Sequence, residues 1–107
     1  MAEEIPYIKA VDEYNKIING DQPAIVDFTA SWCGPCKMIA PVFKSLSGKF
    51  PGVKFYKVDV DDAQPIAKLV GIRSMPTFML FHNGEKIGDA IGADPRRLEA
   101  LVQKAQT

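Results

Sequence analysis

Two cysteines, the only two in the chain, stand three residues apart in Trp32-Cys33-Gly34-Pro35-Cys36-Lys37. Residues at i and i+3 of a helix share a face, with Cβ atoms roughly 5–6 Å apart, so a small adjustment allows a disulfide bond. Pro35 suits a first helical turn, where a missing N–H costs nothing and its ring presets φ. Gly34 permits a tight turn and is expected to leave the neighbouring sulfur uncovered. Unpaired N–H groups and the positive end of the helix dipole favour a thiolate at Cys33. Cys36 falls deeper in the helix and is expected to stay protonated until needed. The pattern is that of a vicinal dithiol, one thiol to attack and one to resolve.

The flanking residues supply the elements that must hold this pair. Ile25-Val26-Asp27-Phe28-Thr29-Ala30 is apolar enough for a strand covered on both faces. The segment from Lys37 to Gly48 carries helical spacing, with Ile39, Val42, Phe43 and Leu46 as its buried stripe. Pro41 falls inside it and cannot donate to the carbonyl of Lys37, which predicts a kink. The dithiol therefore lies at a strand-to-helix junction.

The rest of the chain alternates in the same way. Ile5-Pro6-Tyr7-Ile8 reads as a short edge strand, the place where Pro6 is tolerated. Val11, Tyr14, Ile17 and Ile18 predict a helix stopped by Asn19-Gly20. Val53 to Val60 reads as a strand, followed by a short helix capped by Asp61 or Asp62, with Pro65 in its first turn. Ile66, Leu69 and Val70 are its apolar face and Gly71 its end. Thr77 to Phe81 reads as a buried strand, and Asn83-Gly84 as a hairpin turn into Lys86–Ile91. Asp94-Pro95 opens a last helix that buries Leu98, Leu101, Val102 and Ala105. This βαβαβαββα order predicts an α/β sheet with helices on both faces, its first three strands parallel and its last two antiparallel.

A chain of 107 residues supports one domain, here 1–107. Lys and Arg balance Asp and Glu at 13 each, which argues against nucleic acid or an anionic membrane as partner. No apolar run is long enough to span a bilayer. Met1-Ala2-Glu3-Glu4 lacks the basic-then-apolar pattern of a signal peptide. Two cysteines are too few for a disulfide-stapled scaffold, and Cys33, Cys36 and a distant His82 fall short of a zinc ligand set.

Several other side chains stand out. Asp27 lies in an otherwise apolar strand, where desolvation would raise its pKa and let it exchange a proton near neutrality. Lys57 interrupts a core strand, and the spare reading is a lysine whose stem snorkels over the sheet. Trp32 offers a broad amphipathic ring beside the dithiol. Lys37 reads as a solvated helix residue, and Met38 and Met79 as packing.

The dithiol motif in its strand–turn–helix setting resembles the thioredoxin family, and the likeness extends over nearly the whole chain. Thr29 in place of a second tryptophan, together with Met75-Pro76-Thr77-Phe78, looks closer to eukaryotic cytosolic members. The resemblance implies a thioredoxin fold: a central five-stranded mixed sheet of order 1-3-2-4-5 flanked by four helices. It implies a protein-disulfide reductase in which Cys33 is the nucleophile and Cys36 resolves, passing through a Cys33–Cys36 disulfide. Asp27 then assists deprotonation of Cys36, and Lys57 tunes Asp27. Met75-Pro76 is implied to be a cis bond facing the sulfurs, and Gly34, Pro35, Trp32, Met75, Pro76, Gly92 and Ala93 to border a substrate groove. The implied partners are thioredoxin reductase and disulfide-bearing proteins such as peroxiredoxins, methionine sulfoxide reductases and ribonucleotide reductase. The implied setting is a cytoplasmic monomer with neither cofactor nor metal. Two rivals are a disulfide oxidase or isomerase on the same fold, and a groove-binding module without catalysis.

Overall fold

The computed structural model describes residues 4–106. The acidic start Met1-Ala2-Glu3, which reads as unlike a signal peptide, lies outside them. Eight elements follow in order: α1 (Val11–Ile18), β1 (Ala24–Thr29), α2 (Gly34–Lys49), β2 (Lys54–Asp59), α3 (Gln64–Val70), β3 (Thr77–His82), β4 (Glu85–Ile91) and α4 (Pro95–Lys104). The described sheet has four strands in the order β2-β1-β3-β4. β1 and β2 are parallel, while β3 runs antiparallel to both β1 and β4.

The expected fifth strand at Ile5–Ile8 is reduced to a single parallel bridge between Tyr7 and Lys57. Lys57 N–H donates to Pro6 O at 3.0 Å and Ile8 N–H donates to Lys57 O at 2.8 Å. A further rung toward Phe55 would need an N–H from residue 6, and proline has none. A further rung in the other direction would need the carbonyl of Asp59, which accepts instead from Ala63 N–H. The segment thus occupies the place expected of an edge strand, beside β2, without continuing as one.

Alternation along the strands separates two apolar layers. Ile25, Phe55, Phe78 and Leu80 face α2 and α4, meeting Ile39, Phe43 and Leu46 of the first and Leu98, Leu101 and Val102 of the second. Phe43 anchors this layer, its ring centroid 5.0 Å from Phe55 and 5.5 Å from Phe78. Val26, Phe28, Val58, Met79 and Phe81 face the other way, onto Tyr14 of α1 and Ile66 of α3. Both faces of β1 are therefore covered, as its apolar run predicts.

Turn chemistry holds where the sequence is explicit. Asn83 and Gly84 both have positive φ, 55° and 83°, the signature of a type I′ hairpin. Asp94 caps α4, its Oδ1 accepting from Arg96 N–H at 3.0 Å and Arg97 N–H at 3.4 Å. α2 continues on both sides of Pro41 and runs through Gly48 to Lys49, past the expected stop.

Three local expectations are corrected. Neither Asp61 nor Asp62 caps α3: its N-cap is Ala63, and Asp59 Oδ1 gathers the Asp61 and Asp62 N–H groups in a turn before it. Leu69 is exposed, while Ile66 is buried and Val70 is partly buried against the same layer. Met38, expected to pack, is 79% exposed on α2, whereas Met79 is buried.

Candidate active site

β1 ends at Thr29, and the chain turns through Cys33 N–H donating to Ala30 O at 3.2 Å before α2 begins. Cys33 is the N-cap of α2, with extended backbone, and its sulfur accepts the Cys36 N–H at 3.2 Å. Gly34 and Pro35 form the first helical positions, so Pro35 stands where its missing N–H is not required. Cys33 and Cys36 are joined in a disulfide, their Cα atoms 5.3 Å apart. A sulfur at a helix N-cap, held by a backbone N–H, is placed where negative charge is favoured. Cys33 is more enclosed than a neighbouring glycine predicts. Both cysteines are buried among Ala30, Val60 and Met75, with 5% and 3% exposure respectively.

Strand alternation turns Asp27 away from Val26 and Phe28 and onto the face covered by α2. It is 1% exposed, and its Oδ1 has no hydrogen-bond partner among the described residues. Burial raises its pKa from 3.8 to about 7, and the positive charge of Lys57 pulls in the opposite direction. The register explains that pairing, since Asp27 lies directly opposite Lys57 across the parallel β1–β2 ladder. Asp27 and Cys36 line one cavity of about 200 Å³, bordered by Tyr7, Lys57, Asp59 and Lys37. A buried acid, a buried sulfur and a lysine are thus brought to one small space.

The loop before β3 approaches the same sulfurs. Met75 packs against the cysteine cluster and the Met75-Pro76 bond is cis. Gly92 N–H donates to Pro76 O at 2.8 Å, and Gly92 has φ 98°, which a side chain would strain. Trp32 is 66% exposed, its ring fixed by Nε1 donating to Asp61 Oδ2 at 2.8 Å. Ala93, next to Gly92, is partly buried and packs against the α2–α4 core.

Sequence reasoning misses Asp61, Val60, Asp59 and Tyr7 as neighbours of this site. The available signal is the Asp59-Val60-Asp61-Asp62 run at the end of a strand that pairs beside the dithiol strand, but its residue types suit helix capping equally well. Tyr7 carries no signal beyond its place in an edge segment.

The thioredoxin family model matches residues 6–106. The chain belongs to the thioredoxin family. Among relatives, the thioredoxin of Malassezia sympodialis is 49% identical over 100 residues, covering 92% of this chain and 95% of that one. The thioredoxin of Coprinus comatus is 45% identical over 103 residues, covering 94% and 97%. The solved Malassezia sympodialis structure superposes with a TM-score of 0.91 at 45% identity, covering 97% of this chain and 92% of that one. A structure bearing on thiol resolution in yeast mitochondrial 1-Cys peroxiredoxin via glutathione/thioredoxin systems gives 0.90 at 38% identity, covering 94% of each chain. As a thioredoxin with its cysteine pair in place, the protein is a thiol–disulfide oxidoreductase that reduces protein disulfides. Disulfide-bearing proteins and a thioredoxin reductase are the general partners that membership brings. No helix among the described residues is long and apolar enough to cross a membrane.

Proposed function

We propose that Cys33 attacks the substrate disulfide, that Cys36 resolves the mixed disulfide, and that Asp27 receives the Cys36 proton as it does so. The observation that carries this division of labour is the cavity shared by Cys36 and the unpartnered, buried carboxyl of Asp27. Cys33 thiolate forms a bond to one substrate sulfur, and the other substrate sulfur leaves as thiolate. Cys36 passes its proton to Asp27 and attacks the Cys33 sulfur. The substrate's remaining sulfur leaves as a thiolate, and the electrons lost by the two cysteines leave them joined as the Cys33–Cys36 disulfide. Thioredoxin reductase returns the pair to the dithiol.

Supporting roles follow from position. Lys57, opposite Asp27, keeps the carboxyl from being too weak an acid. Gly34 and Pro35 set the first turn of α2. The exposed Trp32 ring, Met75, Pro76 and Gly92 form one rim around the sulfurs, which suits an extended substrate segment laid beside the residue 75 backbone. Ala93 supports that rim from the core side. The proposed substrates are protein disulfides of the peroxiredoxin, methionine sulfoxide reductase and ribonucleotide reductase classes. Residues 1–107 act as one domain, a cytoplasmic monomer that needs neither cofactor nor metal.

The test is reduction of a protein disulfide by dithiothreitol in the presence of catalytic wild type, Cys33→Ser or Cys36→Ser. Wild type accelerates the reaction, and Cys36→Ser accumulates a mixed disulfide through Cys33. A stable adduct formed through Cys36 in the Cys33→Ser variant, with none in Cys36→Ser, would reverse the assignment.

A further inference from the structure

Tyr7 lines the Asp27–Cys36 cavity without a task in the exchange chemistry. Its segment is tied to β2 by the two backbone hydrogen bonds that clasp Lys57, so Tyr7 is held in register with that lysine and no other. The Lys57 ammonium lies 5.8 Å from the centroid of the Tyr7 ring, within cation–π range. Lys57 is also the residue opposite Asp27. A lysine has a long flexible stem and several places to put its charge. Asp59 lines the same cavity as a second carboxylate, while Glu4 in the adjoining one is paired with Lys44 at 3.2 Å. An aromatic face that holds the ammonium therefore determines how much of its charge Asp27 feels.

We infer that Tyr7 is a positioning residue of the resolving step: its ring face holds the Lys57 ammonium at the cavity beside Asp27. The inference rests on the proton-acceptor reading of Asp27 and deepens it. The charged and titratable groups that face Asp27 here are Lys57 and Asp59 from β2, Cys36 and Lys37 from α2, and Tyr7 from the edge segment. In the oxidised protein Cys36 is tied up in the disulfide and does not titrate.

The experiment reads the Asp27 carboxyl carbon by NMR through a pH titration of the oxidised protein. Tyr7→Phe keeps the ring face and is expected to titrate like wild type. Tyr7→Leu keeps an apolar cover but has no ring face to hold the cation. Its Asp27 midpoint is expected to rise, by less than the rise in Lys57→Met, because the ring acts only through that lysine. Lys57→Met raises the midpoint by itself, and Tyr7→Leu added to Lys57→Met is expected to shift it no further. An unmoved midpoint in Tyr7→Leu overturns the inference, as does an equal shift in Tyr7→Phe or a Tyr7→Leu shift that persists without Lys57. The readout needs no turnover, so it separates this inference from the reading beneath it. A wild-type midpoint in the ordinary carboxylate range would overturn both. A near-neutral midpoint that responds to Lys57→Met but not to Tyr7→Leu would overturn Tyr7 alone.

Discussion

Replacing Asp27 by asparagine should stabilise the oxidised protein increasingly as pH rises. In the folded protein burial holds the carboxyl proton up to about pH 7, whereas an unfolded aspartate releases it near 3.8. Between those values the folded state binds a proton that the unfolded state has lost, so stability falls as pH rises. The stabilising contribution is complete below about 3.8 and is lost through about 7. Roughly three pH units at about 1.4 kcal/mol each give a loss of about 4 kcal/mol across the window. The Asp27→Asn variant has no such slope. The new amide would meet the same absence of partners as Asp27 Oδ1, a pH-independent cost of about 1–3 kcal/mol. The slope therefore carries the test and the offset does not. Urea denaturation of oxidised wild type and Asp27→Asn at half-unit steps from about pH 4 to 9 measures it. The difference in unfolding free energy is expected to grow in favour of the asparagine variant from about pH 4 and to level off above about 7.5. A difference that stays flat across that range would refute the burial argument, because a carboxyl titrating at its ordinary value has nothing to contribute there. The same substitution should slow resolution of the mixed disulfide at neutral pH by about 10²-fold or more, since asparagine cannot accept the Cys36 proton.

Two further outcomes follow from single contacts. Trp32 is the only tryptophan, so all tryptophan emission comes from the ring that hydrogen-bonds Asp61. Asp61→Ala should free the exposed ring, seen as faster depolarisation and a several-fold higher KM for a protein disulfide at unchanged kcat, at a stability cost below about 1 kcal/mol. Asp61→Asn keeps an acceptor oxygen and should restore both; unaltered depolarisation in Asp61→Ala would remove the bond from the account. Asp94→Ala deletes the cap of α4, so it should cost about 1 kcal/mol and lower Tm by about 4 °C. An unchanged Tm would mean that Arg96 and Arg97 N–H groups are satisfied equally well by water.

Most of the scaffold is legible in the sequence because its signals are local. Asn83-Gly84 demands two positive φ values and has them. An apolar run too continuous to alternate places β1 between two layers, and that alone makes Asp27 a buried acid. Pro35 and Pro95 both sit in first helical turns. What fails is equally physical. Periodicity tells which side of a helix turns inward but not how wide the covered stripe is, so Leu69 and Met38 read as packed when they lie beyond its edge. Pro6 is compatible with an edge strand, yet its missing N–H also removes the rung that would have made the segment a strand. Asp59, Asp61 and Asp62 are interchangeable as capping residues by type. Only the end of β2 decides that the first forms the turn and the second reaches Trp32. Such meetings between side chains distant in sequence leave no periodic trace.

The buried carboxyl also explains why its neighbours are arranged as they are. A general base works best when its pKa is near the ambient pH, where it is ionised often enough to accept a proton yet basic enough to hold one. Burial alone drives Asp27 upward, and a carboxyl that is always protonated could not receive from Cys36. A lysine in tight contact would drive it down until it was always ionised and a poor acceptor. Opposite register on a parallel ladder, with no direct ion pair between them among the described residues, gives Lys57 an intermediate influence. In the proposed mechanism the carboxyl and the Cys36 thiol would exchange a proton as one coupled system, so moving Lys57 would alter the exchange as a whole. On the inference drawn above, Tyr7 would enter that balance through the lysine it holds.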